Sequence, residues 1–184
     1  MTFMRGSCFE LRVLDWEDPD QVDRFTKYVN AGLTTQHLFT GSIPMRTADY
    51  AQRWEDEAKQ DSIQFGIWAD NVMVGTTGLH SFRPMYRSWE FRILIFDPEY
   101  VEKGIGTEVT TLVTDYAFTR LNAHKVWLGV NAENVRAVKC YSRVGFTLEG
   151  QQRDEIFCFG HYADILHMGV LESEWKARKV GHEA

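Results

Sequence analysis

A chain of 184 residues that is 44% hydrophobic and 25% charged is long enough for one domain to bury roughly 70% of the surface its unfolded form exposes, without a disulfide or metal staple. A net charge of −6 with dispersed Lys and Arg argues against a nucleic-acid surface and suits a cationic substrate. No apolar run nears the roughly 20 residues that span a bilayer, and the N-terminus, with Arg5, Glu10 and Arg12, lacks the apolar block of a signal peptide, so no membrane partner and a cytoplasmic location are expected.

Phe9 to Leu14 alternates as a strand, and Asp18-Pro19 opens a helix running to about Asn30. A polar loop from Thr34 to Pro44 leads to Thr47, which is expected to cap a helix over Ala48 to Lys59, with Tyr50 and Trp54 one turn apart. The period then changes to strands: Ser62 to Ala69, a hairpin turn at Asp70-Asn71, Val72 to Phe82, and Ser88 to Phe96 after Pro84. Gly104 to Leu121 reads as a helix with Val109, Leu112, Val113, Tyr116, Ala117 and Leu121 on one stripe. Lys125 to Val130 is a short apolar strand. Asn134 to Arg143 is a short helix, capped by Asn134 and ended by a left-handed residue at Gly145. Phe146 to Phe159 and His161 to Leu171 close the order as two strands joined near Gly160. With no linker, repeat or low-complexity stretch, residues 1–184 are expected to form a single domain.

Cys8, Cys140 and Cys158 are odd in number and far apart, which suggests reduced thiols rather than a disulfide framework. His80, His124, His161 and His167 form no HxH or HxxxH pair, and Cys158 with His161 makes only a lone CxxH, so no metal site is expected.

Two motifs carry the chemistry. Lys103-Gly104-Ile105-Gly106-Thr107 places glycines where a helix begins; the first amides of a helix lack internal partners and its dipole favours an anion there. Further on stand Asn134, Ala137, Tyr141, Gly145 and Phe146 in the spacing NxxAxxxYxxxGF. In this spacing and element order the chain resembles the GCN5-related N-acetyltransferase (GNAT) superfamily over about residues 8 to 171, and within it the ribosomal-protein and polyamine N-acetyltransferase branch.

The resemblance implies an α/β (α+β) fold with a mixed, mostly antiparallel sheet of six to seven strands, flanked by about four helices and splayed between the fourth and fifth predicted strands. It implies acetyl-CoA as co-substrate, with Leu94, Ile95 and Phe96 lining the pantetheine arm. Lys103, Gly104, Ile105, Gly106 and Thr107 would hold the pyrophosphate, and Asn134 and Ala137 would contact the cofactor. The family's glycine turn is broken here by Val101 and Glu102. Should position 102 need a positive φ, a glutamate there is strained by roughly 1 kcal/mol, its carboxylate faces phosphates, and Lys103 opposes it.

Tyr141 has its own rationale, because a phenol with a pKa of about 10 is protonated at neutral pH and can donate to a departing thiolate. A protonated alkylamine needs a base, and Glu90, sharing a strand face with Arg92, Leu94 and Phe96, is the first candidate, with a Glu90–Arg92 ion pair as the plain alternative. His80 is the second candidate. Glu155, His161 and Asp164 are substrate-side suggestions, and Phe39, Tyr86, Trp89 and Phe157 could wall the acceptor pocket.

The implied activity is acetyl transfer to a primary amine (a small amine, polyamine, amino sugar or protein N-terminus) by direct attack on the thioester, in a homodimer. The alternative is a non-catalytic coenzyme A binding or regulatory module, favoured by Glu102 and opposed by Tyr141. A mononucleotide-binding fold lacks its GxxxxGK[ST] sequence.

Overall fold

Asp18 and Pro19 start the first helix by local chemistry. In α1 (Pro19–Ala31) the Asp18 side chain accepts the Asp20 N–H at 3.0 Å, and Gly32 ends the helix at φ 71°. A computed structural model of the chain describes residues 2–32, 46–58, 61–158 and 160–180, with backbone alone at 53, 54, 57 and 58. The loop expected over Thr34 to Pro44, with Phe39, lies outside the described residues, as do the Trp54 side chain, Lys59 and Phe159. In α2 (Thr47–Ala58) Thr47 stands in the first turn rather than before it. The guanidinium of Arg46 holds Asp49 there through two bonds of 2.8 Å.

The strands β3 (Ile63–Ala69) and β4 (Val72–Arg83) form the expected hairpin, because Asp70 and Asn71 both take left-handed φ values of 50° and 62°. β5 (Ser88–Ile95) returns beside β4. α3 (Ile105–Arg120) follows Gly104 and buries Ile105, Val109, Val113 and Ala117. β6 (Lys125–Asn131), α4 (Val135–Val144), β7 (Thr147–Cys158) and β8 (His161–Leu171) come next, the last pair turning at Gly160 with φ 88°. Gly145 ends α4 at φ 118°, and both its N–H and that of Phe146 reach the Tyr141 carbonyl.

Two elements escape the sequence reading. β1 (Thr2–Arg5) adds an eighth strand and α5 (Glu172–Val180) a fifth α-helix among the described residues. Both depend on distant contacts: Phe3 stacks on Phe65 at 5.2 Å, and the Trp175 indole N–H donates to Asp115 at 2.9 Å.

Among the described residues one sheet runs β1-β2-β3-β4-β5-β6-β8-β7, where β2 is Glu10–Val13. Only β5 and β6 pair in parallel; the other neighbours are antiparallel. The sheet separates two cores. Val74, Ile93 and Ile95 join the larger one with α3, while Met73, Leu94 and Phe96 turn to the smaller one with Phe25, Val29 and Tyr50. Arg24 in α1 ties that second core to the chain after β5, with Nε to the Met73 carbonyl at 2.6 Å and Nη2 to buried Asp97 at 2.7 Å.

Candidate active site

β5 and β6 pair only at Ser88–Lys125, Trp89–Val126 and Glu90–Trp127. Beyond Glu90 each strand is held by its other neighbour: β5 by β4 as far as Ile95, and β6 by β8 along Lys125–Asn131. The sheet therefore splits into a V whose apex is at Glu90 and Trp127. The Phe96 N–H donates to the Val74 carbonyl of β4 at 3.1 Å. Alternation along an antiparallel ladder then points the amides of Ile93 and Ile95 away from β4, into the V.

The V opens into a cavity of about 460 Å³. Ile93, Leu94 and Ile95 form one wall, Val101, Glu102, Gly104, Gly106, Thr107 and Thr110 the end at α3, and Asn134, Arg136, Ala137, Lys139, Cys140, Tyr141 and Arg143 the wall at α4. At the α3 end, the N–H groups of Thr107 and Glu108 both reach the Gly104 carbonyl, at 3.1 and 3.2 Å. The amides of Ile105 and Gly106 precede these first helical bonds, so they leave the helix end as donors for an anion. Gly104 has φ 82° and open space around a would-be Cβ, and at Gly106 a Cβ would meet only Ile95 Cδ1 at 3.7 Å. These glycines keep the rim low rather than fill a packing gap.

Tyr141 sits beside the apex, its ring 6.3 Å from Phe91 and 6.1 Å from Phe146. Among the described residues no group hydrogen-bonds its hydroxyl, and the residue lines the cavity. Burial, and secondarily the Cys140 side chain, push its pKa well above the ordinary phenol value, so the proton stays on. Asn134 caps α4 by accepting the Ala137 N–H at 3.1 Å on Oδ1, which leaves its side-chain NH2 for a ligand. Thr107 Oγ1 lies 3.3 Å from Cys140 Sγ, joining α3 to α4 across the cavity floor.

Several expected residues lie elsewhere. Phe96 is fully buried, stacked on Tyr28 at 5.5 Å in the second core, because period-2 alternation turns it away from Ile95. The Ile105 side chain belongs to the main core, so only its backbone can serve the site. Lys103 places its ammonium over the Tyr100 ring at 4.9 Å. Glu102 takes φ 64°, the strained conformation, and its carboxylate meets Arg136 at 3.5 Å; Arg136, not Lys103, is its counter-charge.

Glu90 realises the ion-pair alternative: Arg92 Nε and Nη2 reach its two oxygens at 3.0 and 2.9 Å, and Ser81 Oγ donates at 2.9 Å. Burial raises its pKa, but the Arg92 bonds and charge with the Ser81 bond outweigh this and the net shift is downward. His80, the cross-strand partner of Glu90, is held neutral: burial, helped by Arg92, lowers its pKa to about 4. Glu155 is exposed on β7, and Asp164 accepts from the Asp154 N–H and Gln151. Trp89 stacks on Phe82 in the core at 4.3 Å, whereas Tyr86 and Phe157 are exposed.

The sequence reading missed Arg136, Lys139 and Arg143, which give the α4 wall a cationic rim. Their i, i+3, i+7 spacing, on the helix that carries Tyr141, was the available signal. Together the cavity offers donors and positive charge for phosphates at one end. At the other it offers a strand edge for an amide-bearing arm and a protonated phenol.

The Acetyltransferase (GNAT) domain model matches residues 10–147. The spermidine N(1)-acetyltransferase of Escherichia coli K12 is 34% identical over 118 residues, 64% of this chain and 63% of the relative. The chain thus spans under two thirds of that relative's length. A putative ribosomal N-acetyltransferase of Bacillus subtilis is 28% identical over 169 residues, 88% of this chain and 92% of the relative. The crystal structure of spermidine N-acetyltransferase from Vibrio cholerae in complex with CoA and spermine superposes with a TM-score of 0.81 at 28% identity, covering 93% of this chain and 99% of that one. With a family model covering most of the sequence and the split sheet on which its motif residues meet, the chain belongs to the GNAT acetyltransferase family.

Proposed function

We propose that the protein is an acetyl-CoA-dependent N-acetyltransferase whose acceptor is a primary amine, with a polyamine the best-supported class. The observation that carries this reading is the V between β5 and β6, with Tyr141 beside its apex and the α3 amides at its far end. The donor set fits acetyl-CoA. The α3 amides and the Arg136, Lys139 and Arg143 rim would hold phosphates, and the Ile93 and Ile95 amides would bond the pantetheine arm and the thioester carbonyl. One such preorganised donor to the developing oxyanion is typically worth about 3 to 4 kcal/mol.

The amine attacks the thioester carbon, and the carbon–sulfur bond then breaks. Tyr141, kept protonated by burial, gives its proton to the sulfur and regains one by way of the amine's released proton. Clamped by Arg92 and held ionised, Glu90 does not suit a strong base for the amine. Proton removal from the amine then runs through water. The Glu102–Arg136 pair blunts the charge that would favour the non-catalytic alternative. The net charge of −6 supports a cationic acceptor, as do the spermidine acetyltransferases among the relatives. Assembly beyond one copy is supported by the dodecameric form described for the Vibrio cholerae enzyme.

The test is acetyl-CoA turnover against a panel of spermidine, spermine, amino sugars and peptides, with products identified by mass spectrometry. Acetylated polyamine in preference to the others is expected. Tight acetyl-CoA binding with no product from any amine would instead establish the non-catalytic module.

A further inference from the structure

Sequence spacing leaves Cys158 and His161 as an isolated CxxH pair, but the fold brings a third residue to them. Cys158 ends β7, His161 opens β8 across the turn at Gly160, and Glu133 lies in the β6–α4 loop directly before Asn134. One ligand atom from each of the three side chains lies within 4.8 Å of the other two. His161 Nε2 is 2.9 and 3.1 Å from the two Glu133 oxygens.

We propose that Glu133, Cys158 and His161 form a zinc-binding site that clips the β7–β8 hairpin to the loop leading into α4. The donor set of one sulfur, one imidazole nitrogen and one carboxylate oxygen suits a borderline-soft, tetrahedral ion, whereas Mg²⁺ and Ca²⁺ favour all-oxygen shells. Zinc bonds of about 2.0 to 2.3 Å need the donors roughly 3.3 to 3.8 Å apart. His161 and Glu133 are half-exposed and can close the remaining ångström, and their exposure leaves the fourth position to water.

The surroundings favour the same reading. Asn131, 2% exposed, turns its Nδ2 toward Cys158 Sγ at 3.8 Å and accepts the Glu133 N–H on Oδ1 at 2.8 Å. This buried amide thus faces the Cys158 sulfur and fixes the backbone that carries Glu133, as partners outside a metal's ligand shell do. None of the three ligands lines the acyl-transfer cavity, so the site is separate from that chemistry. Glu133 directly precedes Asn134, which lines that cavity.

The experiment titrates zinc into the untagged, reduced full-length protein against a chromophoric chelator, then repeats with Co²⁺ as a spectroscopic probe. One equivalent of tight binding is expected, with a thiolate-to-cobalt charge-transfer band that Cys158→Ser removes and Cys8→Ser leaves. His161→Ala and Glu133→Gln change half-exposed side chains, so the fold is retained. Each should weaken zinc by at least about tenfold, the cost of losing even an outer partner. Absence of stoichiometric binding, or an affinity unchanged in both of these variants, would overturn the proposal and leave a plain Glu133–His161 ion pair.

Discussion

His80 sets a pH limit on the fold. Burial lowers its pKa from 6.5 to about 4, so between those values the unfolded chain takes up a proton that the folded chain refuses. Stability from this group is complete above pH 6.5 and is lost as pH falls toward 4, by about 3 kcal/mol. Denaturant unfolding at pH 7 and pH 4 should therefore show a loss larger by about that amount in the wild type than in His80→Gln. Equal losses would mean that the imidazole is not desolvated. Glu102 is also under tension, at φ 64° with its charge on the cavity rim. Glu102→Gly removes both strain and charge and frees Arg136, so acetyl-CoA should bind about two- to fivefold tighter by calorimetry. Stability should change little, because the relieved strain of roughly 1 kcal/mol is offset by the greater freedom of unfolded glycine. Weaker binding would mean that Glu102 is needed to hold Arg136 in place.

Among the elements, α4 with its cap contributes more of the site than any other, and Asn134 serves it twice, as cap and as cavity wall. Asn134→Ala should cost about 1 kcal/mol of stability, a shift of roughly 2 to 4 °C in Tm for a domain of this size, while Asn134→Asp keeps the cap and the stability. Both should weaken acetyl-CoA, since both lose the side-chain NH2; wild-type affinity in Asn134→Asp would reduce the residue to a cap. This helix was legible in the sequence because its signals are local: Asn134 begins it, Gly145 ends it, and Tyr141 falls between at fixed spacing. β1 and α5 were not, because a four-residue strand and a charged helix are ordered by partners far along the chain, Phe65 and Asp115. Phe96 was misplaced for a related reason. Alternation told which residues share a face, but not which face meets the cavity.

At the scale of the molecule, every strand of the sheet but β1 was readable, but the place where pairing stops was not. The V exists because β8 holds β6 along its whole length while β4 holds β5 to Ile95, a competition among strands that no single segment encodes. The resemblance to the family supplied the split, and the structure places it at Glu90–Trp127. Likewise the cationic rim of Arg136, Lys139 and Arg143 acquires a role only once α4 packs across from the α3 turn. The opening puts the strand-edge amides, the phosphate end and Tyr141 around one volume, and the acyl transfer proposed above would draw on all three together. The single-turnover rate of acetyl transfer to spermidine from a pre-formed acetyl-CoA complex, in wild type and Tyr141→Phe, probes this arrangement most directly. Phenylalanine keeps the packing on Phe91 and Phe146 and removes only the proton donor. The rate should fall about 10²-fold with acetyl-CoA affinity unchanged, and the wild type should show no tyrosine-linked loss up to the ordinary phenol pKa of about 10. An undiminished rate in Tyr141→Phe, with acetyl-CoA still bound, would contradict the role assigned to Tyr141 and with it the chemistry proposed for the V.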